Sequence, residues 1–160
     1  MRLRDLTLRD KRERGSLLDL ETGAEVGEAV SGTRERIDAR PLLQKMQAGR
    51  RYAFIHTHPD GRSFSESDVT GLVAHRPLLS AVVAVGSQGT WYAISVEPGG
   101  RSPSPADIAA VFRNESDALA PRYTDLVQTG VLTRRDAQRQ FTHDVWERIA
   151  PSLGLRYDRV

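Results

Sequence analysis

Residues 78–85 read Leu-Leu-Ser-Ala-Val-Val-Ala-Val, apolar or small at every position. A half-buried strand would alternate apolar and polar side chains. A run without that alternation is predicted to be a central strand, covered on both faces. Gly86-Ser87-Gln88-Gly89 then supplies a turn, and Thr90-Trp91-Tyr92-Ala93-Ile94-Ser95-Val96-Glu97 returns as the second strand of a hairpin. Trp91 and Tyr92 are expected to serve core and cross-strand packing. A strand of this kind commits the chain to a sheet with other elements laid over it.

The remaining segments supply those elements. Residues 15–32 read as a hairpin, with Leu17, Leu18 and Leu20 going out, a turn at Glu21-Thr22-Gly23, and Val26 and Val30 on the return. Residues 40–49 form a short predicted helix between Pro41, near its start, and Gly49, past its end. Residues 50–58 are a strand rich in aromatic and β-branched residues, and residues 65–76 a helix stopped by Pro77. After a loop at 98–105 the character turns helical. Ser104-Pro105-Ala106-Asp107 starts one helix, predicted to end near Ala120 before Pro121, and Thr133-Arg134-Arg135-Asp136 starts another, with Phe141, Val145 and Ile149 on one stripe and Trp146 beside it. The predicted order is β-β-α-β-α-β-β followed by two or three helices. This is an α/β chain with a mixed central sheet flanked by helices: a core at 1–97, and a helical extension at 106–160 packed on the same domain.

With 160 residues, 39% of them hydrophobic and 28% charged, the chain is sized and composed for one globular core. No apolar run reaches the roughly 18–20 residues of a membrane span. The first fifteen residues alternate charge with leucine and lack an apolar h-region, so a secretory signal is not expected and a cytoplasmic location is. Basic and acidic side chains are interleaved, with a net charge of +2, which argues against a nucleic-acid footprint. There is no cysteine. A thiol nucleophile and thiolate metal sites are therefore excluded, and any metal must be held by His, Asp or Glu.

One stretch carries such ligands: Phe54-Ile55-His56-Thr57-His58-Pro59-Asp60-Gly61-Arg62-Ser63-Phe64-Ser65-Glu66-Ser67-Asp68. On a strand, residues two apart point to the same side about 6.5 Å from each other, so His56 and His58 can converge on one ion if the chain bends at Pro59. Asp68 starts the next helix, where a folded-back loop brings its carboxylate to the same point. Two imidazoles, one carboxylate and an open position suit a catalytic zinc rather than a closed structural one. Ser65-Glu66-Ser67-Asp68 is also a helix-capping sequence. His75 and His143 are expected to be surface or packing residues.

This stretch resembles the JAMM motif of MPN-domain metalloproteases: an upstream Glu, His-x-His-Pro, a short loop, then Ser-x-x-Asp. The element order over residues 10–97 is similar to that fold, which is cytidine-deaminase-like. The loop between His58 and Ser65 has six residues where the commonest form of the motif has seven. The resemblance implies that His56, His58 and Asp68 bind Zn²⁺ and that Ser65 hydrogen-bonds the oxyanion of a tetrahedral intermediate. It also implies a glutamate that carries a proton from zinc-activated water to the leaving amine. Glu13, Glu21, Glu25 and Glu28 are the candidates. Glu13 is preferred because it precedes Arg14-Gly15-Ser16-Leu17-Leu18-Asp19, which resembles the family's glutamate, small residue and apolar strand; Glu28 is second. The implied activity is hydrolysis at the C-terminus of a ubiquitin-like protein or conjugate. The alternatives are a catalytically inactive MPN-type binding module, and a RadC-like or phage-associated relative. Neither the oligomeric state nor the role of the last helices follows from the sequence.

Overall fold

In the computed structural model, which describes residues 2–99 and 102–160, the predicted strands join one mixed sheet. In chain order the elements are α1 (Arg2–Asp10), β1 (Arg14–Asp19), β2 (Val30–Ser31), α2 (Arg40–Leu43), β3 (Tyr52–His58), α3 (Glu66–Ala74), β4 (Leu79–Gly86), β5 (Trp91–Val96), α4 (Pro105–Gln128), α5 (Arg134–Ile149), a single 3-10 turn at Pro151–Leu153, and β6 (Leu155–Arg159). The strand order is β2-β1-β3-β4-β5-β6. Only β3 and β4 run parallel, joined by α3 as the crossover; every other neighbouring pair is antiparallel.

The coarse expectation of an α/β chain with a mixed sheet flanked by helices agrees with this architecture, and several elements differ from their predicted form. Residues 2–10 are a helix, one that the predicted order leaves out. Its Thr7 hydroxyl meets that of Thr57 at 2.6 Å in a buried contact, and Leu3 and Leu6, four residues and one residue before Thr7 along the helix, are half-buried. The return strand of the first hairpin shrinks to Val30–Ser31, with one bridge from Leu18 to Glu25, because Gly23 and Gly27 turn the backbone to positive φ. The helix predicted over 40–49 covers only Arg40–Leu43. Helix α4 does not stop before Pro121 but runs through it. The proline is exposed, while Leu119 and Tyr123 on either side, four residues apart, are buried on one face and hold both halves together. The carboxyl end is not wholly helical: Leu155 and Tyr157 alternate with charged residues and pair with β5 as an edge strand.

The two faces of the sheet are unequal. Register places Leu17, Phe54, His56, Val82, Ala84, Tyr92, Ile94 and Tyr157 on one face, and all but Tyr157 are buried. They form one apolar cluster with Phe64, Val69, Leu72, Ile108, Val145 and Trp146 from the loop and helices above. The other face carries Ser16, Ala53, Thr57 and Val85, which are buried, and Ile55, Ala81, Val83 and Ala93, each half-buried. It bears α1 against β1 and β3. The prediction that β4 is covered on both faces therefore holds fully on one face, and on the other at Val85 but only partly at Ala81 and Val83. Alanine at positions 81 and 93 leaves little apolar area there to require a second layer. Trp91 also departs from the packing expected of it, being 40% exposed, whereas Tyr92 is buried.

Trp146 ties this architecture to the loop after β3. Its ring is fully buried, and Nε1 donates to the Phe64 carbonyl at 2.8 Å. Truncation of Trp146 to alanine should cost about 3–5 kcal/mol of unfolding free energy. Trp146→Phe, which keeps the bulk but orphans the carbonyl, should cost about 1–3 kcal/mol. Urea denaturation of the two variants separates the contribution of packing from that of the hydrogen bond.

Candidate metal centre

Strand β3 delivers two imidazoles to one point because His56 and His58 share a face. Their Nε2 atoms lie 3.0 Å apart. The chain then reverses in a turn closed by Gly61 N–H donating to the His58 carbonyl at 3.0 Å, with Gly61 at φ +83°. Gly86, in register with His58, lets this turn sit close: a Cβ there would lie 3.3 Å from Gly61 Cα. The loop is held from α5. Thr142 Oγ1 accepts from Ser63 N at 3.3 Å, beside the Trp146 bond to Phe64. The bend expected at Pro59 is thus supported by the carboxyl-terminal helices.

The loop ends at Ser65, the N-cap of α3, which places Asp68 at the third helical position. Asp68 Oδ1 lies 3.4 Å from His56 Nε2, and Oδ2 lies 3.7 Å from His58 Nε2. A ligand atom from each of the three residues falls within 4.8 Å of the other two. Both histidines are buried. Ser65 N–H and Oγ each donate to Asp68 Oδ2 at 2.7 Å, while Oγ accepts from Asp68 N at 3.3 Å. These bonds orient the carboxylate and commit the Ser65 hydroxyl to the cap, the structural role its sequence signature also allows.

Strand pairing brings in Glu13. Gly15 pairs with His56 in the antiparallel ladder, so two residues back Glu13 faces His58. Its backbone is pinned by Glu13 N to Thr33 O at 2.8 Å and by Gly32 N to Glu13 O at 2.9 Å. Its Oε1 lies 3.9 Å from His58 Nε2, and the residue is buried. Of the other glutamates considered, Glu21, Glu25 and Glu28 are all exposed and lie outside this cluster. His75 is an exposed helix cap, its Nδ1 2.9 Å from the Gly71 carbonyl.

The electrostatics follow from burial. It pushes the Glu13 carboxyl up to about 7, with the Asp68 charge adding to the rise and His58 opposing it. For Asp68 the same penalty is outweighed by His56, His58 and the Ser65 hydroxyl, which hold it well below the usual carboxylate range. Burial, then the neighbouring His56 ring, lower His58. A neutral His58 whose Nδ1 lies 3.0 Å from the Arg62 carbonyl must donate there, because a carbonyl only accepts. Its Nε2 therefore presents a lone pair to His56 Nε2 and Asp68. Buried nitrogen lone pairs beside a carboxylate, with an outer hydrogen bond fixing the tautomer, are the donor set a divalent transition-metal ion takes. The residues present thus fit a metal ion. A second group, His143, Asp144 and Glu147, also has its ligand atoms within 4.8 Å. There, however, His143 Nδ1 lies 2.9 Å from the Tyr157 hydroxyl, and Asp144 Oδ2 accepts from Tyr123 at 2.6 Å, so that group is occupied in packing.

Sequence reasoning identified the donor residues but not their support, since the roles of Trp146, Thr142 and Thr33 depend on contacts distant in sequence. The one usable signal was the tryptophan on the α5 stripe, whose N–H needs a partner wherever the ring is buried. No protein-family model matches the chain, and no curated protein or solved structure does either.

Titration with Co²⁺ should give one tight site with visible absorption of a low-symmetry centre. His56→Ala and Asp68→Ala should each weaken it by more than the about 10–100-fold that loss of an outer hydrogen-bond partner costs. His143→Ala should leave it unchanged, which calorimetry reads directly.

Proposed function

We propose that this chain is a zinc-dependent peptidase or isopeptidase of the JAMM type, acting at the C-terminus of a ubiquitin-like protein or its conjugate. In this reading its sheet and crossover helix correspond to the cytidine-deaminase-like MPN fold. The observation that carries the proposal is the approach of Glu13 to His58, with Oε1 at 3.9 Å, beside the His56–His58–Asp68 cluster. Two histidines and one carboxylate also serve non-haem iron. A buried carboxyl next to the donor set favours hydrolysis and zinc, because it gives the site a proton carrier.

His56, His58 and Asp68 would hold the ion. When bound, zinc supplies Lewis acidity, polarising a scissile carbonyl and making water nucleophilic near neutral pH. Glu13, buried with Oε1 3.9 Å from His58 Nε2, accepts the proton of the attacking water and returns it to the leaving amine nitrogen. Ser65 stands exposed at the rim of the cleft above the ligands. Its hydroxyl can turn from Asp68 Oδ2 towards a developing oxyanion, because the Ser65 N–H keeps that oxygen hydrogen-bonded at 2.7 Å. The open cleft, about 1830 Å³, admits an extended chain segment rather than only a small molecule. Inactive binding modules of this type have usually lost one or more ligands; this chain keeps His56, His58, Ser65 and Asp68.

Glu13→Gln should retain metal yet lose about 10²–10⁴-fold in hydrolysis of a ubiquitin-like fusion, the scale of general acid–base catalysis. Zinc-loaded wild-type protein that cleaves no fusion or isopeptide conjugate removes the hydrolase reading. Ser65→Ala should lower kcat by about 10²-fold. It should also lower unfolding free energy by about 1 kcal/mol through the lost cap, and measuring both in the same variant separates the two roles of one hydroxyl.

A further inference from the structure

The cleft over the candidate metal centre has a charge that the chain as a whole lacks. Across the sequence 23 basic residues nearly balance 21 acidic ones. Around the cleft, Asp38 is taken by Arg40 at 2.7 Å and Asp60 by Arg62 at 2.5 Å. Apart from the site's own Glu13 and Asp68, what remains among the described lining residues is Lys11, Arg34, Arg36, Arg134 and Arg135 against Glu35.

These cations are placed by the fold. Arg34 and Arg36 ride on a turn closed by Thr33 N to Arg36 O at 2.8 Å, and the same Thr33 carbonyl accepts from the Glu13 N–H. One wall of the cleft is therefore hydrogen-bonded to the backbone of the proposed general base. Arg134 and Arg135 line the cleft from the first turn of α5. A helix N-terminus disfavours cations, so helix stability does not explain two arginines there. Arg135 reaches towards the Pro59 carbonyl at 3.5 Å and Ser87 Oγ at 3.4 Å, over the loop that follows the histidines. All four arginines are exposed. Arg34, Arg36 and Arg134 are in none of the salt bridges formed by the described residues.

We infer that the cleft selects an acidic peptide segment, with Arg34, Arg36 and Arg134 as specificity-determining residues that receive side-chain carboxylates flanking the bond at the metal centre. The inference rests on the peptidase reading for what happens at the centre, but its recognition step stands apart from turnover. Planar guanidinium groups pair with carboxylates in two-pronged fashion, and cations on separate walls of a cleft fix the direction of a bound chain as well as its charge. Long-range attraction also raises the encounter rate and fades with salt.

The test uses full-length Glu13→Gln protein loaded with zinc, and fluorescein-labelled peptides of equal length that are acidic, neutral or basic. Their C-termini are amidated, so that only side-chain carboxylates are read. Anisotropy should show the acidic peptide bound about tenfold more tightly than the neutral one at low salt, the scale of several exposed ion pairs acting together, with the preference shrinking at 0.5 M NaCl. The Arg34→Ala/Arg36→Ala/Arg134→Ala variant on the same background should bind the two alike, at unchanged zinc content and urea midpoint. Equal binding by the parent protein, or an acidic preference that survives in the triple variant, overturns the inference. So does a single-stranded oligonucleotide that displaces the acidic peptide at lower concentration than unlabelled acidic peptide does. The two readings fail separately. Charge preference without hydrolysis by zinc-loaded wild type removes the peptidase, and hydrolysis blind to charge removes the arginine selectivity.

Discussion

The candidate centre depends first on the pairing of β1 with β3. In that ladder Gly15 lies opposite His56 and Leu17 opposite Phe54. The same register carries Glu13 to His58. Strand side chains alternate, so a slip of one residue would turn Glu13 to the opposite face, towards Thr57 and α1, and away from the ligands. Gly15 holds the register in place. A Cβ there would come within 2.6 Å of the Phe54 ring, and that ring stacks on His56 at 5.4 Å between centroids and 15° between planes. A small residue on β1 lets an aromatic ring on β3 lie flat against it, and the ring in turn backs the first histidine. Glu13 and the two histidines are thus positioned by one pair of strands, and Asp68 joins them from the first turn of α3.

The second dependence runs through α5. The loop from Pro59 to Phe64 has no regular structure of its own, yet it must carry the chain from the end of β3 to the cap of α3 without letting the histidines splay. Trp146 and Thr142 hold its backbone at Phe64 and Ser63, and Arg135 reaches Pro59. A carboxyl-terminal extension that could be pictured as an appendage is therefore part of the site's scaffold. β6 strengthens the same point by closing the sheet beyond β5, with Tyr157 laid against Tyr92 and Phe64.

The ligand residues were legible because their relation is local. His56 and His58 sit at strand spacing, Ser65 and Asp68 at helix-cap spacing, and only a short loop separates the pairs, so each short-range rule acts within a few residues. Glu13 was harder, since choosing it over Glu28 needs the β1–β3 register, a contact more than forty residues apart in sequence. The misses share a different cause. Pro121 reads as a stop, but buried Leu119 and Tyr123 override it. The amino-terminal helix meets the sheet through a buried contact between Thr7 and Thr57, and β6 falls within the predicted helical extension until β5 is present to pair with it. In each case tertiary contacts outweighed a local signal.

Burial sets the electrostatics of this cluster. Glu13, His58 and Asp68 have been largely taken out of water, with Glu13 Oε1 3.9 Å and Asp68 Oδ2 3.7 Å from His58 Nε2. Desolvation disfavours charge on all three: it moves Glu13 towards its acid form and His58 towards neutral, while Asp68 is held as carboxylate by its neighbours. A cluster meant for stability alone would be better served by apolar side chains of the same size. A cation among the three donors gives the desolvated lone pairs and the Asp68 carboxylate a common partner, which the protein groups do not supply to one another. Glu13 stands just outside that set, its Oε1 3.9 Å from His58 Nε2. The same burial that makes the donor set costly without an ion also raises the neighbouring carboxyl, so both features follow from one desolvated pocket.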